Sequence, residues 1–206
     1  EKDGKEDIVK EISNDPAFSK SETLLEAVKN GTIEKVRQLL DDPDVDSEWK
    51  SKALAEAAKN GDRENVISLL KDPQIDYSYE IGTCPKDWKA KGRCSHDKKV
   101  PYKRNALGWA VKNNHTNLVP LLLAKTENRD KSLHTAVRYG NEDLVEEILK
   151  YPGVDVDEAF SDPWGGYFNT ALQTAVIHDN LNLTKLLLNK TSYNHQKAEA
   201  LSYASK

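Results

Sequence analysis

Residues 132–149 read Ser-Leu-His-Thr-Ala-Val-Arg-Tyr-Gly-Asn-Glu-Asp-Leu-Val-Glu-Glu-Ile-Leu. Apolar side chains fall at Leu133, Ala136 and Val137, and again at Leu144, Val145, Ile148 and Leu149. Positions three and four apart share a helical face, so each group is the stripe of one short helix. Gly140 stops the first helix, and Asn141 to Asp143 open the second. Two short helices joined by a tight turn cannot bury both faces alone. The stretch therefore requires neighbours of its own kind.

The chain supplies them. Aligned on the alanine of the first helix, five copies occur, at 24–40, 54–70, 107–123, 133–149 and 172–188, with Ala27, Ala57, Ala110, Ala136 and Ala175 as anchors. Each copy has small residues on its first helix, a turn element in the middle and a bulky pair at the close. Small residues let neighbouring helices approach, and the bulky pair fills the layer between copies.

These residues resemble the ankyrin repeat, whose pattern runs T-P-L-H-x-A-A, then glycine, then V-V-x-x-L-L. Ser132-Leu133-His134-Thr135-Ala136 carries the best match. The tails Asp42-Pro43-Asp44-Val45-Asp46, Asp72-Pro73-Gln74-Ile75-Asp76 and Tyr151-Pro152-Gly153-Val154-Asp155 look like variants of the family's G-A-D-V-N, where the chain turns out into a β-hairpin finger. The resemblance implies an all-α helix-turn-helix solenoid with short hairpin or loop fingers. It implies one domain over 1–206, with repeats near 23–46, 53–76, 106–124, 132–157 and 171–189. Segments 7–18 and 195–206 look like half-repeats capping the two ends, as arrays need. In this family His134 would tie turns together; the other copies have Leu25, Ala55, Gly108 and Gln173 there, so that network is not regular in this chain.

The anchors are 30, 53, 26 and 39 residues apart, against the family's roughly 33. The short step leaves only Ala124 to Lys131 as a link, and the two long steps mark insertions, which in repeat arrays map to loops. The larger, 77–105, holds both cysteines, Cys84 and Cys94, ten positions apart with Pro85 and Gly92 as turn formers. That is the form of a loop-closing disulfide, with an entropy term of about 2–3 kcal/mol. Two reduced thiols are the alternative. A metal site on Cys84, Cys94, His96 and Asp97 lacks the paired spacing of zinc motifs, and no second catalytic group accompanies a cysteine nucleophile. No metal, cofactor or catalytic residue is therefore expected.

Residues 84–104 carry eight basic and two acidic side chains, whereas 1–83 carry 12 and 20 and 105–206 carry 10 and 12. Lys89, Lys91 and Arg93 beside Trp88 form a basic, aromatic segment suited to an acidic protein face. Nucleic acid is disfavoured because the flanking chain is acidic. The smaller insertion, near 157–169, puts Trp164 and Tyr167 with two phenylalanines around a Gly-Gly pair, either as interface anchors or as a self-folding loop.

The resemblance also places partner contacts just before the turn between the helices. Here those positions are Lys29 and Asn30, Lys59 and Asn60, Lys112 and Asn113, Arg138 and Tyr139, and Ile177 with His178. Trp109 is unusually large for its place on the third first helix and joins the candidates. Solvation and helix ending are the competing explanation for any one of these polar residues.

The formal charge of −4 is too mild for a general nucleic-acid or membrane binder. No run reaches the roughly 18–20 apolar residues of a membrane span, and no phosphate loop, zinc-protease or serine-hydrolase motif occurs. The chain holds no methionine, so its start is read as that of a processed or trimmed product. The clustered cysteines point to an exported, periplasmic or secreted protein, with the cytoplasm of its own or a host cell as the alternative. The expected function is non-catalytic binding of a specific protein partner by a monomer, through the concave face and the inserted loops. The alternative is the targeting part of a larger effector or enzyme whose catalytic region lies elsewhere.

Overall fold

The computed structural model describes residues 15–83, 102–127, 129–161 and 168–204. Among them the helices run in pairs. The first two pairs are α1 (Pro16–Lys29) with α2 (Ile33–Leu40) and α3 (Ser47–Asn60) with α4 (Arg63–Leu69). Strands β1 (Ile81–Thr83) and β2 (Tyr102–Arg104) follow. Then come α5 (Ala106–Lys112) with α6 (Val119–Leu123) and α7 (Asp130–Arg138) with α8 (Glu142–Leu149). Strands β3 (Phe160–Ser161) and β4 (Phe168–Asn169) precede the last pair, α9 (Ala171–Ile177) and α10 (Leu181–Leu188), and a single helix, α11 (Asn194–Ala204). The chain is the all-α solenoid that the repeats imply.

Most of these helices are shorter than the roughly 12–15 residues an isolated helix needs in water, so stacking must hold them. The first helices form one row, α1 on α3, then α5, α7, α9 and α11. The second helices form the other, where α2 meets α4 and α6 meets α8. The five anchor alanines sit in the first row and are at most 4% exposed. One continuous core runs from Leu24 to Ala200 between the rows.

The turn between paired helices is the same in every repeat. Four residues after each anchor the backbone is left-handed, with φ of 68° at Gly31, 77° at Gly61, 60° at Asn114, 68° at Gly140 and 53° at Asp179. Asn and Asp are the side-chain-bearing residues that best tolerate this region. At Gly61 a Cβ would also lie 2.6 Å from the His115 ring, so glycine is doubly required there. The following residue often starts the second helix: Asp62, Asn141 and Asn180 each accept the backbone N–H three residues on.

A second periodic device is polar. Six residues before the anchor, Ser21, Ser51 and Asp130 accept the amides of Asp46, Asp76 and Asp155, the same 25 residues further along each time. One residue earlier stands a cation. Lys20 bridges Asp42 and Asp44 at 2.9 and 2.7 Å. Lys50, only 4% exposed, donates to the Leu40 carbonyl at 2.9 Å and to Gln74 at 3.0 Å, and pairs with Asp72 at 2.9 Å. Arg129 donates to the Leu123 and Pro152 carbonyls, both at 3.1 Å, and so seats the short 124–131 link without a finger. Lys50 and Arg129 thereby satisfy carbonyls that the preceding second helix leaves open at its end.

Three expectations change. The tail assigned to the N-terminal half-repeat is the first turn of α1: Asp15 accepts from Ala17 and Phe18, and Pro16 opens the helix, where a missing N–H costs nothing. Residues 1–14 lie outside the described residues. The first two repeats accordingly begin at Pro16 and Ser47, not near 23 and 53. The tails at 42–46 and 72–76 are tight turns, closed by Asp42 and Asp72 on the amides two residues on, rather than hairpin fingers. Strands occur, among the described residues, at the bases of the two insertions: Ile81 to Thr83 pairs antiparallel with Tyr102 to Arg104, and Phe160–Ser161 with Phe168–Asn169.

Replacing Lys50 by methionine strands the buried Asp72 carboxylate and the Leu40 carbonyl, and is expected to cost about 3 kcal/mol of stability. The equivalent Lys20→Met, at an exposed pair, is expected to shift the urea midpoint far less.

Candidate interaction surface

The last turn of each first helix displays the candidate row. Two residues after the anchors stand Lys29, Lys59, Lys112, Arg138 and Ile177, and beside them Asn30, Asn60, Asn113, Tyr139 and His178. Cations are favoured there by the partial negative charge of a helix C-terminus. Lys29, Asn30, Asn60, Asn113, Tyr139, Ile177 and His178 are exposed, and Lys59, Lys112 and Arg138 are half-buried. Stacking brings the five positions into one line, since their helices pack successively.

Some of these side chains also serve the stack. The Asn113 amide donates to the Lys59 carbonyl at 2.7 Å, and a His115 ring nitrogen lies 3.1 Å from the same oxygen. Lys59 itself pairs with Glu56 at 2.8 Å. Asn141 reaches Asn114 in the preceding turn at 2.5 Å. The row is thus tied together turn to turn.

Trp109, expected among the contacting residues, is instead 2% exposed. Its indole N–H donates to the Ile81 carbonyl at 3.2 Å, and the ring packs with Ala55, Ile81 and Tyr79. A large residue stands at this position because it fills the space under the base of the 77–105 insertion. Tyr77 and Tyr79 likewise pack against the core, anchoring that insertion to the stack. Tyr79 donates to Glu48 at 2.9 Å, and Lys131 pairs with Glu80. Three cations surround the ring: Lys112 at 4.6 Å from its centroid, Arg104 at 5.5 Å and Lys59 at 5.6 Å. Burial, and then the nearby Arg104 and Lys59 charges, push the Lys112 ammonium below the ordinary lysine range.

Further along the row, His134, Arg138, Asn169, Thr174, Ile177 and His178 line a small pocket of about 40 Å³. His134 lies 2.8 Å from the Thr174 hydroxyl in the next repeat and 5.7 Å from the Phe160 ring. At the equivalent position on α9 stands Gln173, which completes a capping box with Thr170. A larger groove of about 570 Å³ lies by the tails of the first two repeats, but its buried charges, Lys50 and Asp72, already neutralise each other.

Two models of ankyrin repeats match this chain. One, of three copies, covers residues 89–159, and the other, of many copies, covers 133–188. The chain belongs to the ankyrin-repeat family. A comparison with curated proteins finds no match. Ankyrin repeats generally mediate protein–protein interaction.

Of the remaining candidates, Cys84, Trp88, Lys89, Lys91, Arg93 and Cys94, and Trp164 with Tyr167, lie outside the described residues. Among the described residues no helix is long and apolar enough to cross a membrane, and no group of three or more His, Cys, Asp or Glu is placed to hold a metal. From the sequence, Tyr77 and Tyr79 read as anchors of the insertion, as they are here, but the part played by Arg104 and Trp109 beneath it is missed. The signal available was two aromatics and a cation flanking the insertion.

Burial, and then the Glu48 carboxylate that accepts its hydrogen bond, push the Tyr79 phenol up from its usual 10.0 to about 12. A raised value means stability that is present below about pH 10 and lost as pH rises towards about 12. The advantage of the native chain over Tyr79→Phe in urea unfolding is expected to hold up to about pH 10 and then to shrink across that window.

Proposed function

We propose that this ankyrin array is a non-catalytic module that binds a specific protein partner of acidic surface through its concave face. The observation that carries this reading is the line of four cations, Lys29, Lys59, Lys112 and Arg138, one per repeat in the same register, ending in the exposed Ile177. A partner segment crossing the helices would meet positive charge first and an apolar side chain last. Such a row steers an acidic partner and suppresses wrong ones. The same reading assigns partner contacts to the basic segment Lys89, Lys91 and Arg93 with Trp88, and to the aromatic Trp164 and Tyr167. The chain acts as a monomer.

Reversing charge at Lys59, Lys112 and Arg138 together is expected to abolish cross-linking to the native partner in extracts of the source cell, with the helical signal unchanged. Undiminished cross-linking sinks the concave-face reading. Removing residues 84–101 and joining Thr83 to Tyr102 by a short turn tests the insertion separately, with weaker capture expected.

The second reading under this head concerns the cysteines. The β1–β2 ladder closes the insertion immediately before Cys84, and a Cys84–Cys94 disulfide would fix the loop beyond it. This reading goes with an exported or secreted protein. Intact-mass measurement of protein from its native compartment, with and without reductant, is expected to differ by about two hydrogens for one disulfide; an identical mass means reduced thiols.

A further inference from the structure

Among the described residues six large hydrophobic side chains are exposed, and three of them belong to the turns of the last two helix pairs: Tyr139 at 48%, Ile177 at 46% and Leu181 at 63%. These two turns touch. The Asn182 amide donates to the Glu142 carboxylate at 3.1 and 3.3 Å, and a Cβ at Gly140 would lie 3.5 Å from the Asn180 amide nitrogen. Tyr139 and Leu181 are the chain neighbours of these contacts. The first three pairs have Asn30, Asn60 and Asn113 where Tyr139 stands. Tyr139, Asn114, Glu142 and Asp143 line a shallow crevice of about 510 Å³. The charge around the patch has one sign. Residues 139–149 hold four acidic side chains and no lysine or arginine, and residues 113–124, across the preceding turn, hold none of either sign. At the same place in the first two pairs a cation adjoins the acid, as Glu34-Lys35 and Arg63-Glu64. Glu142 accepts from a neutral amide, and no cation among the described residues pairs with it or with Asp143. The start of a helix carries roughly half a positive charge, which favours acids there but offsets only part of two carboxylates.

We infer that the Tyr139, Ile177 and Leu181 patch, edged by Glu142 and Asp143, docks a protein segment that carries an apolar side chain with an arginine or lysine beside it. Apolar side chains exposed at adjacent turns gain by leaving water together, and singly scattered ones would call for no such account. The rim decides the sign of the occupant. An acidic neighbour of the apolar anchor is repelled by Glu142 and Asp143, whereas a cation meets two carboxylates and an exposed aromatic ring. The site goes beyond the cation row and does not depend on it, since its sign is opposite. With both in place, a partner whose acidic stretch is followed by an apolar and basic one fits the array in one direction only.

The test titrates a hexapeptide of alternating leucine and arginine, and separately one of alternating leucine and glutamate, into the full chain at physiological salt, following backbone amide signals by NMR. The arginine peptide is expected to shift the amides of residues 139–143 and 177–182. Tyr139→Asn and Leu181→Ser are each expected to weaken it about tenfold, and Asp143→Asn about threefold. Glu64→Gln, at the equivalent place on α4, is expected to weaken it less than twofold. Equal weakening by Glu64→Gln and Asp143→Asn overturns the site in favour of diffuse attraction to an acidic chain. So does failure of the arginine peptide to bind, or an equal shift of the same amides by the glutamate peptide. Sedimentation velocity of the chain alone is expected to show a monomer; a dimer that Leu181→Ser dissolves gives the patch to a second copy and overturns the proposal. The exposure of Tyr139 and Leu181 predicts that both variants keep the native helical signal.

Discussion

Helices of five to eight residues carry too few internal hydrogen bonds to persist in water, and the second helices here are of that length. Their existence depends on close contact between neighbouring repeats, and that contact depends on the alanine near the C-terminal end of each first helix. A larger side chain there would push the first-helix row apart and open the core on both sides of it. With the alanines in place, Leu24, Leu54, Leu107, Leu133 and Leu172 are sealed from solvent at equivalent positions. Every other feature, including the line of cations at the ends of the first helices, inherits its spacing from that contact.

Apolar contact sets the spacing, but polar contacts set the register. The Ser21, Ser51 and Asp130 acceptors, Lys50 and Arg129 through the Leu40 and Leu123 carbonyls, and the turn-to-turn links through Asn113 and Asn141 all join a repeat to its immediate neighbour. Stability in such an array is a sum of local terms and nearest-neighbour interfaces. The Lys50–Asp72 pair is the most buried of the ion pairs among the described residues, and it sits between the first two repeats, where no insertion helps to hold the layers.

The helix pairs and their turns were legible in the sequence because they rest on periodicity: alanine anchors, closing leucines, and a residue tolerant of positive φ at one fixed place. The same reading misjudged Pro16 to Phe18, since Asp-Pro signals a tail in one context and a capped helix start in another, and only the packing decides. Trp109 was misjudged for a related reason. An aromatic on a nominally exposed position looks like a contact residue, yet the insertion base covers it, and that cover comes from Ile81 and Tyr79, 28 and 30 positions earlier. The Lys20, Lys50 and Arg129 series was visible as a pattern but hidden by the unequal spacing of the anchors.

The ladder of Ile81 to Thr83 with Tyr102 to Arg104 has an evolutionary meaning apart from its place under Trp109. It separates the length and composition of what lies beyond it from the fold that carries it. Loop closure costs only about 0.6 kcal/mol for each doubling of loop length. Once the base is fixed by its own hydrogen bonds and by the aromatic floor, the segment beyond can be lengthened, shortened or rewritten while the stack hardly registers the change. The array is then a frame with an interchangeable attachment, and recognition can drift there faster than the core drifts.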